Sequence, residues 1–284
     1  MKKINWGIIG LGNIAHEFSK AFAETNNAKL LAISSKDKNK LKKFKLQFNI
    51  DSKFSFNNYQ DLINCDEVDI VYIALPNSLH KQWILNAIKN KKNILVEKPA
   101  TINFSEANEI KDNLKKTNIF FSEAFMYRYH PQIQSVIKII KDNKIGNLLS
   151  MESSFGEDIL TKKKLFFFMK KKKIDPKSRK FDKGLGGGCI LDLGCYPSSF
   201  SLLIGSLKDK PNMNSFEIKN VLIEKGETGV DIDSVAELSF QDGFKSKIHA
   251  SYKKNLGSKS LIYGEKGTIL LNKSWSGGNI IIHL

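Results

Sequence analysis

The stretch "KINWGIIGLGNIAHEF", residues 3–18, decides the fold. Ile4 to Ile9 is a largely apolar run of strand length, and a helical pattern opens at Asn13. Between them stands Gly10-Leu11-Gly12-Asn13-Ile14-Ala15, a GxGxxA turn. The glycines permit a tight turn and the close approach of a pyrophosphate, whose charge the helix N-terminus meets. Glycines also mark ordinary turns, but a strand before and a helix after make dinucleotide binding the better reading. Lys2-Lys3 and Ile8-Ile9 imitate a secretory signal, yet Asn5, the three glycines, Asn13 and His16 break up any apolar core of one.

Outward from this stretch, strand-like and helix-like segments alternate. "AKLLAISS" (28–35), "VDIVYIALP" (68–76), "NILVE" (93–97) and "NIFFSEA" (118–124) read as strands. Helical patterns fill the gaps, one of them opening at Asn103 with Glu106 three residues later as a capping box. Such alternation is the mark of βαβ units around a parallel sheet. Near residue 145 the pattern changes. "NLLSMESSF", "FEIKNVLIEK", "DIDSVAELSF", "FKSKIHASY", "SKSLIYG" and "GTILLN" read as strands joined by short turns at Asp242-Gly243 and Glu265-Lys266-Gly267, and predict an antiparallel sheet. A helix after Gly186-Gly187-Gly188 makes this half α+β, and a helix from Pro131 to about Asn143 is expected to bridge the halves. The expected division is 1–122, dinucleotide-binding, and 123–284, substrate-binding and oligomerising.

Composition limits the function classes. The hydrophobic share of 41% is that of a globular protein, and no uninterrupted apolar run approaches the length of a membrane span. Cys65, Cys189 and Cys195 form no CxxC pair, which fits a reducing compartment, and the expected location is cytoplasmic. A net charge of +16 invites a nucleic-acid reading, but Arg128 and Arg179 are the only arginines, and arginine is the better bidentate reader of phosphates and bases. The charge therefore reads as solvated surface, with neither nucleic acid nor membrane as partner. The exception is "TKKKLFFFMKKKKIDPKSRKF", residues 161–181, where basic runs flank Phe166, Phe167 and Phe168. Such interleaving could stack bases or dip into a membrane; a long loop with its aromatics tucked under a neighbouring site is the preferred reading.

Ligands of a parallel sheet sit at the carboxyl ends of its strands. At the end of the second strand an NAD site would place an acid, and the chain has Ser34-Ser35-Lys36. Ser35 and Lys36 could hold a 2′-phosphate, so NADP is expected, with NAD as the alternative. In "ALPNSLH" (74–80) Pro76 stops the next strand, and Asn77 and His80 either reach the dinucleotide or cap and begin a helix; no second histidine or cysteine stands at ligand spacing, so no metal is expected. In "VEKPA" a buried strand ends on Glu97 and Lys98, and Pro99 restricts the lysine backbone to extended geometry, with a cis bond within its reach. Helical spacing would put Asp192 and Tyr196 of "GLGGGCILDLGCYPSSF" on one face, as a proton-transfer set beside a lysine. Tyr196, Phe200 and Leu203 equally form a core stripe.

In order and spacing, Gly10-x-Gly12-x-x-Ala15, "ALPNSLH", "VEKPA", "EAFMYRYHPQ" and "GGGCILDLGCYP" resemble the glucose–fructose oxidoreductase/inositol dehydrogenase/rhizopine-catabolism family over nearly the whole chain. The similarity is greatest to its branch of dimeric dihydrodiol dehydrogenases and NADP-dependent xylose dehydrogenases, where tyrosine stands at position 196. The resemblance implies an α/β fold: a Rossmann domain with a parallel sheet, then an α+β domain on an open, mostly antiparallel sheet. It also implies hydride transfer between nicotinamide C4 and a sugar, cyclitol or vicinal diol carbon. Lys98 would polarise the reacting oxygen, Tyr196 would be the general acid/base, and Asp192 would position substrate or tune the pair. Gly10, Gly12, Asn13, Ile14, Ser35, Lys36, Leu75, Pro76, Asn77, His80, Glu97 and Lys98 would hold the cofactor, and Arg128 and Arg179 would border the substrate. The alternatives are a cofactor-retaining enzyme of elimination or glycoside cleavage and a non-catalytic sugar or nucleotide sensor. Relatives continue beyond "GGNIIIHL", so an early end is expected to expose apolar surface on the sheet through which two copies would pair.

Overall fold

The structure, a computed structural model, describes residues 3–163, 169–208 and 216–284. It divides into two compact units, Met1–Ala124 and Phe125–Leu284.

The first unit is built on six parallel strands: β1 (Ile4–Ile9), β2 (Ala28–Ser34), β3 (Ser55–Phe56), β4 (Ile70–Ile73), β5 (Asn93–Val96) and β6 (Phe121–Glu123), in the order β3-β2-β1-β4-β5-β6. Helices α1 (Asn13–Lys20), α2 (Lys38–Gln47), α3 (Tyr59–Ile63), α4 (Asn77–Lys89) and α5 (Phe104–Leu114) lie between them. Adjacent residues of a central strand face opposite layers. Ile9 packs with Val71, Ile73, Trp83 and Ile84, whereas Ile8 packs with Tyr72, Ile33 and Phe44. Every residue of β4 is buried, because both sheet faces are covered; burying one such isoleucine contributes roughly 1.5–3 kcal/mol. Asn103 caps α5, its Oδ1 accepting from Glu106 N at 2.9 Å, while Glu106 Oε2 reaches one residue past the cap and accepts from Ile102 N at 3.2 Å.

The second unit carries α6 (Pro131–Lys141), β7 (Leu148–Gly156), a two-stranded ribbon of β8 (Thr161–Lys163) and β9 (Met169–Lys171), α7 (Cys195–Gly205), β10 (Phe216–Lys225), β11 (Asp231–Phe240), β12 (Lys245–Ser251), β13 (Gly257–Gly264), β14 (Thr268–Asn272) and β15 (Ile280–His283). Seven of these strands form one sheet, β10-β11-β12-β7-β13-β14-β15. It is antiparallel except where β12 runs parallel to β7, in keeping with the mostly antiparallel sheet expected. Ile232, Ser234, Leu238 and Phe240 of β11 are buried, in period-two alternation. α6 packs Ile133, Val136 and Ile140 into the core of this unit with Phe200 and Ile204 of α7, so it is a core helix of the second unit. The stretch Lys183–Gly205 has the length and apolarity of a membrane span, but most of it is buried among the same core residues.

Candidate active site

At the carboxyl edge of the first sheet, the glycine turn is pressed against the end of β4. Gly10 has φ +90°, and a Cβ there would lie 2.4 Å from the Ala74 carbonyl oxygen and 2.8 Å from Leu75 Cδ2. Leu75 shapes this turn from below. Gly10→Ala is therefore expected to destabilise the chain by more than about 1 kcal/mol, read as a lower unfolding midpoint in urea; an unchanged midpoint would contradict the closeness of the turn. Gly12 begins α1 without a side-chain cap, and nothing lies within 4 Å of the place of its Cβ. Asn13 and Ile14 are exposed beside it, Ile14 by 45%. A cradle that any side chain would fill, next to an uncapped helix start, fits a dinucleotide pyrophosphate.

At the end of β2, Ser35 is buried and its Oγ accepts from Asp37 N at 3.1 Å. Lys36 is exposed, its Nζ 5.6 Å from the centroid of the Tyr59 ring. The nearest acid, Asp37, caps α2 by accepting from Asn39 N at 2.9 Å and Lys40 N at 3.0 Å. That carboxylate is thus engaged on backbone donors, and a lysine and a hydroxyl are left to meet whatever lies across this edge.

Glu97, Lys98, Pro99 and Ala100 form a shelf at the end of β5, with a cis bond between Lys98 and Pro99. Three neighbours pin it. The Tyr72 hydroxyl of β4 donates to Glu97 Oε1. Ala100 N donates to Glu123 Oε1 of β6 at 2.7 Å. His80 of α4 lies between the Pro99 carbonyl, 2.8 Å from Nδ1, and the Leu75 carbonyl, 2.8 Å from Nε2. Of the two readings of His80, these contacts favour the one that sets it in the first turn of α4: the ring is fully buried with both nitrogens beside backbone carbonyls of two loops. Burial pulls its pKa down against the two carbonyls, which favour the charged ring. Helix α4 starts after Pro76, which makes no side-chain cap.

In the second unit a π-turn, Ile190–Gly194, precedes α7. It stands where a regular helix carrying Asp192 was expected. Asp231 anchors the turn: its Oδ2 accepts from Ile190 N at 2.7 Å and from the Cys189 thiol at 3.1 Å. Gly188, at φ +117°, makes room, because a Cβ there would stand 2.2 Å from Asp231 Oδ1. Burial, reinforced by this carboxylate, pushes the Cys189 thiol pKa up, so it remains an inert thiol.

Asp192 is 7% exposed. Arg179 Nη1 donates to its Oδ1 at 3.2 Å, the Tyr252 hydroxyl donates to Oδ2 at 3.0 Å, and Lys180 Nζ stands 3.7 Å from Oδ2. Tyr196 lies among aromatic rings, with centroids of Phe125, Tyr127, Phe155 and Trp275 at 5.7, 6.1, 5.5 and 5.6 Å. It belongs to the core stripe with Phe200. Arg128 donates to the Ser199 carbonyl at 3.1 Å and to Ser199 Oγ at 2.8 Å, and the Tyr127 hydroxyl donates to the same Oγ at 2.9 Å. Arg128 thus fastens α7 beneath Tyr196. Phe166, Phe167 and Phe168 lie outside the described residues.

Sequence reading missed Tyr72, Glu123, Lys180 and Tyr252. A tyrosine in the otherwise aliphatic "IVYI" is the one available signal, since a buried phenol needs an acceptor. Among the described residues no group of three or more His, Cys, Asp or Glu could hold a metal ion.

Residues 4–125 match the model of an oxidoreductase family with an NAD-binding Rossmann fold, and residues 133–270 match the GFO/IDH/MocA C-terminal domain. The chain is 27% identical over 281 residues to trans-1,2-dihydrobenzene-1,2-diol dehydrogenase of Xenopus tropicalis, covering 98% of this chain and 78% of that one. It is 32% identical over 228 residues to glucose-6-phosphate 3-dehydrogenase of Bacillus subtilis, covering 79% of this chain and 62% of that one. Aldose-aldose oxidoreductase from Caulobacter crescentus, solved with glycerol, superposes with a TM-score of 0.81 at 22% identity, over 99% of this chain and 80% of that one. A 3-ketoreductase from Actinomadura kijaniata, solved with NADP and TDP-benzene, superposes at 0.80 and 22%, over 99% and 81%. At such identity the two structures speak for the fold.

Proposed function

The chain belongs to the Gfo/Idh/MocA oxidoreductase family, and from that premise we propose that it is an NADP-preferring dehydrogenase or reductase of a sugar, cyclitol or related vicinal diol. The observation that carries the reading is the shelf at Lys98, a lysine at the carboxyl end of β5 whose neighbours Glu97, Pro99 and Ala100 are bonded to Tyr72, His80 and Glu123. Relatives named for dihydrodiols, a sugar phosphate and a deoxysugar nucleotide support the substrate class.

Gly10, Gly12, Asn13 and Ile14 would bind the pyrophosphate, Ser35 and Lys36 the adenosine ribose and its 2′-phosphate, and Leu75, Pro76, Asn77, Glu97 and Lys98 the nicotinamide end. A bound nicotinamide supplies a two-electron redox exchange with the substrate carbon. Lys98 Nζ holds positive charge toward the substrate oxygen, which favours loss of its proton on oxidation and stabilises the carbonyl dipole on reduction. The Tyr196 hydroxyl takes or returns that proton. Asp192 orients the substrate hydroxyls as an acceptor, and Arg179, paired with it, faces solvent at the border of the substrate.

A fluorescence titration with NADPH and NADH tests the reading. NADPH is expected to bind the more tightly, and Lys36→Asp to lower the ratio of NADPH to NADH affinity by at least about tenfold, equivalent to about 1.4 kcal/mol. An unchanged ratio would remove Lys36 from the cofactor site, and binding of neither nucleotide would overturn the enzyme reading.

A further inference from the structure

We propose that the Tyr252 hydroxyl orients the Asp192 carboxylate, making Tyr252 a positioning residue of the substrate site. The proposal rests on the reading of Asp192 as a group that orients substrate. Asp192 sits in the π-turn that precedes α7. Its carboxylate meets Arg179, Lys180 and Tyr252. The two cations come from the segment between β9 and the π-turn, and the Arg179 side chain is 59% exposed. Ion pairs of that kind hold geometry weakly, because water screens them and long side chains lose entropy when fixed.

Tyr252 differs in every respect. It follows β12 directly, and its N donates to the Ile232 carbonyl at 2.7 Å, so it is mounted on the sheet. The residue is fully buried, its ring 5.7 Å from that of Phe181 and packed with Leu160, Cys189 and Leu193. The hydroxyl has two acceptors in reach, Asp192 Oδ2 at 3.0 Å and the Gly188 carbonyl at 3.2 Å. It has one proton, and the carboxylate is the stronger acceptor. Burial, with Asp192 adding to it, pushes the phenol pKa up, so the group remains a donor. Lys180 Nζ, 5.4 Å from the ring centroid, the Cys189 thiol, itself pushed up, and Arg179, which acts in the opposite sense, also face the phenol. One rigid donor thus sets the carboxylate direction, while exposed Arg179 and half-buried Lys180 supply countercharge.

The test is a double-mutant cycle of Tyr252→Phe with Asp192→Ala, or with Asp192→Asn should alanine prevent folding. Steady-state rates are read with glucose 6-phosphate and with trans-1,2-dihydrobenzene-1,2-diol, alongside NADPH titration. Tyr252→Phe, which keeps the ring and removes the hydroxyl, is expected to lower kcat/KM about tenfold, mainly through KM, with NADPH affinity unchanged. In the Asp192 variant the same substitution is expected to change kcat/KM less than twofold. Loss in the Asp192 variant but none in Tyr252→Phe overturns the positioning role alone, as do equal losses in both backgrounds. An Asp192 variant with full activity overturns the reading of Asp192 and the proposal with it. If neither probe is turned over by the parent chain, the cycle is read in urea unfolding midpoints, where equal shifts in both backgrounds overturn the proposal and a shift confined to the parent supports it.

Discussion

Lys98→Met is expected to lower turnover by about 10³-fold while leaving NADPH affinity within about tenfold. Methionine keeps the length and apolar stem of lysine and removes its charge and donors. The shelf survives the change, because Tyr72, His80 and Glu123 hold Glu97, Pro99 and Ala100. Cofactor contacts made by the backbone of this segment are therefore retained, and only the positive charge at the reacting oxygen is lost. Steady-state rates under saturating NADP and a nucleotide titration on the same preparation separate the two quantities. Unchanged turnover would take Lys98 out of the mechanism; lost affinity with intact turnover at saturation would make it a cofactor ligand alone.

The second large effect is expected at Tyr196→Phe, with kcat and kcat/KM falling together by about 10²–10⁴-fold. The rings of Phe125, Tyr127, Phe155 and Trp275 pack against the ring of Tyr196, and phenylalanine preserves those contacts. Stability is expected to change by about 1 kcal/mol or less, the usual worth of one hydrogen bond. Near-normal kcat would leave Tyr196 as a member of the core stripe and move proton transfer to another group. A large drop in unfolding midpoint would show instead that the hydroxyl is structural.

Features set by local chemistry were legible in the sequence. The turn at Gly10 and Gly12, the cap at Asn103 with Glu106, and the alternation of "DIDSVAELSF" each depend on residues a few positions apart, and each has its expected form. So does the junction of Lys98 and Pro99, because proline constrains its own neighbour. What escaped reading depends on distant partners. Tyr252 and Asp192 are 60 residues apart, and nothing near either one announces the other. The parallel pairing of β12 with β7 is equally non-local, since strand alternation is the same in both directions. His80 is a related case: its helix position was visible, but the carbonyls of Leu75 and Pro99 beside its ring depend on how two loops meet. The π-turn at 190–194 has no local signature, so a regular helix was the natural reading of "CILDLGCYP".

The central claim is redox catalysis at a hydroxyl-bearing carbon, and it is tested most directly by nicotinamide absorbance. Purified protein is incubated with NADP and each of a panel of aldoses, sugar phosphates, cyclitols and vicinal diols, and the appearance of reduced cofactor is followed. The account predicts steady NADPH formation with at least one member of the panel, absent in Lys98→Met. Tight cofactor binding without reduction by any member, and without NADPH oxidation by the corresponding carbonyl compounds, would contradict it.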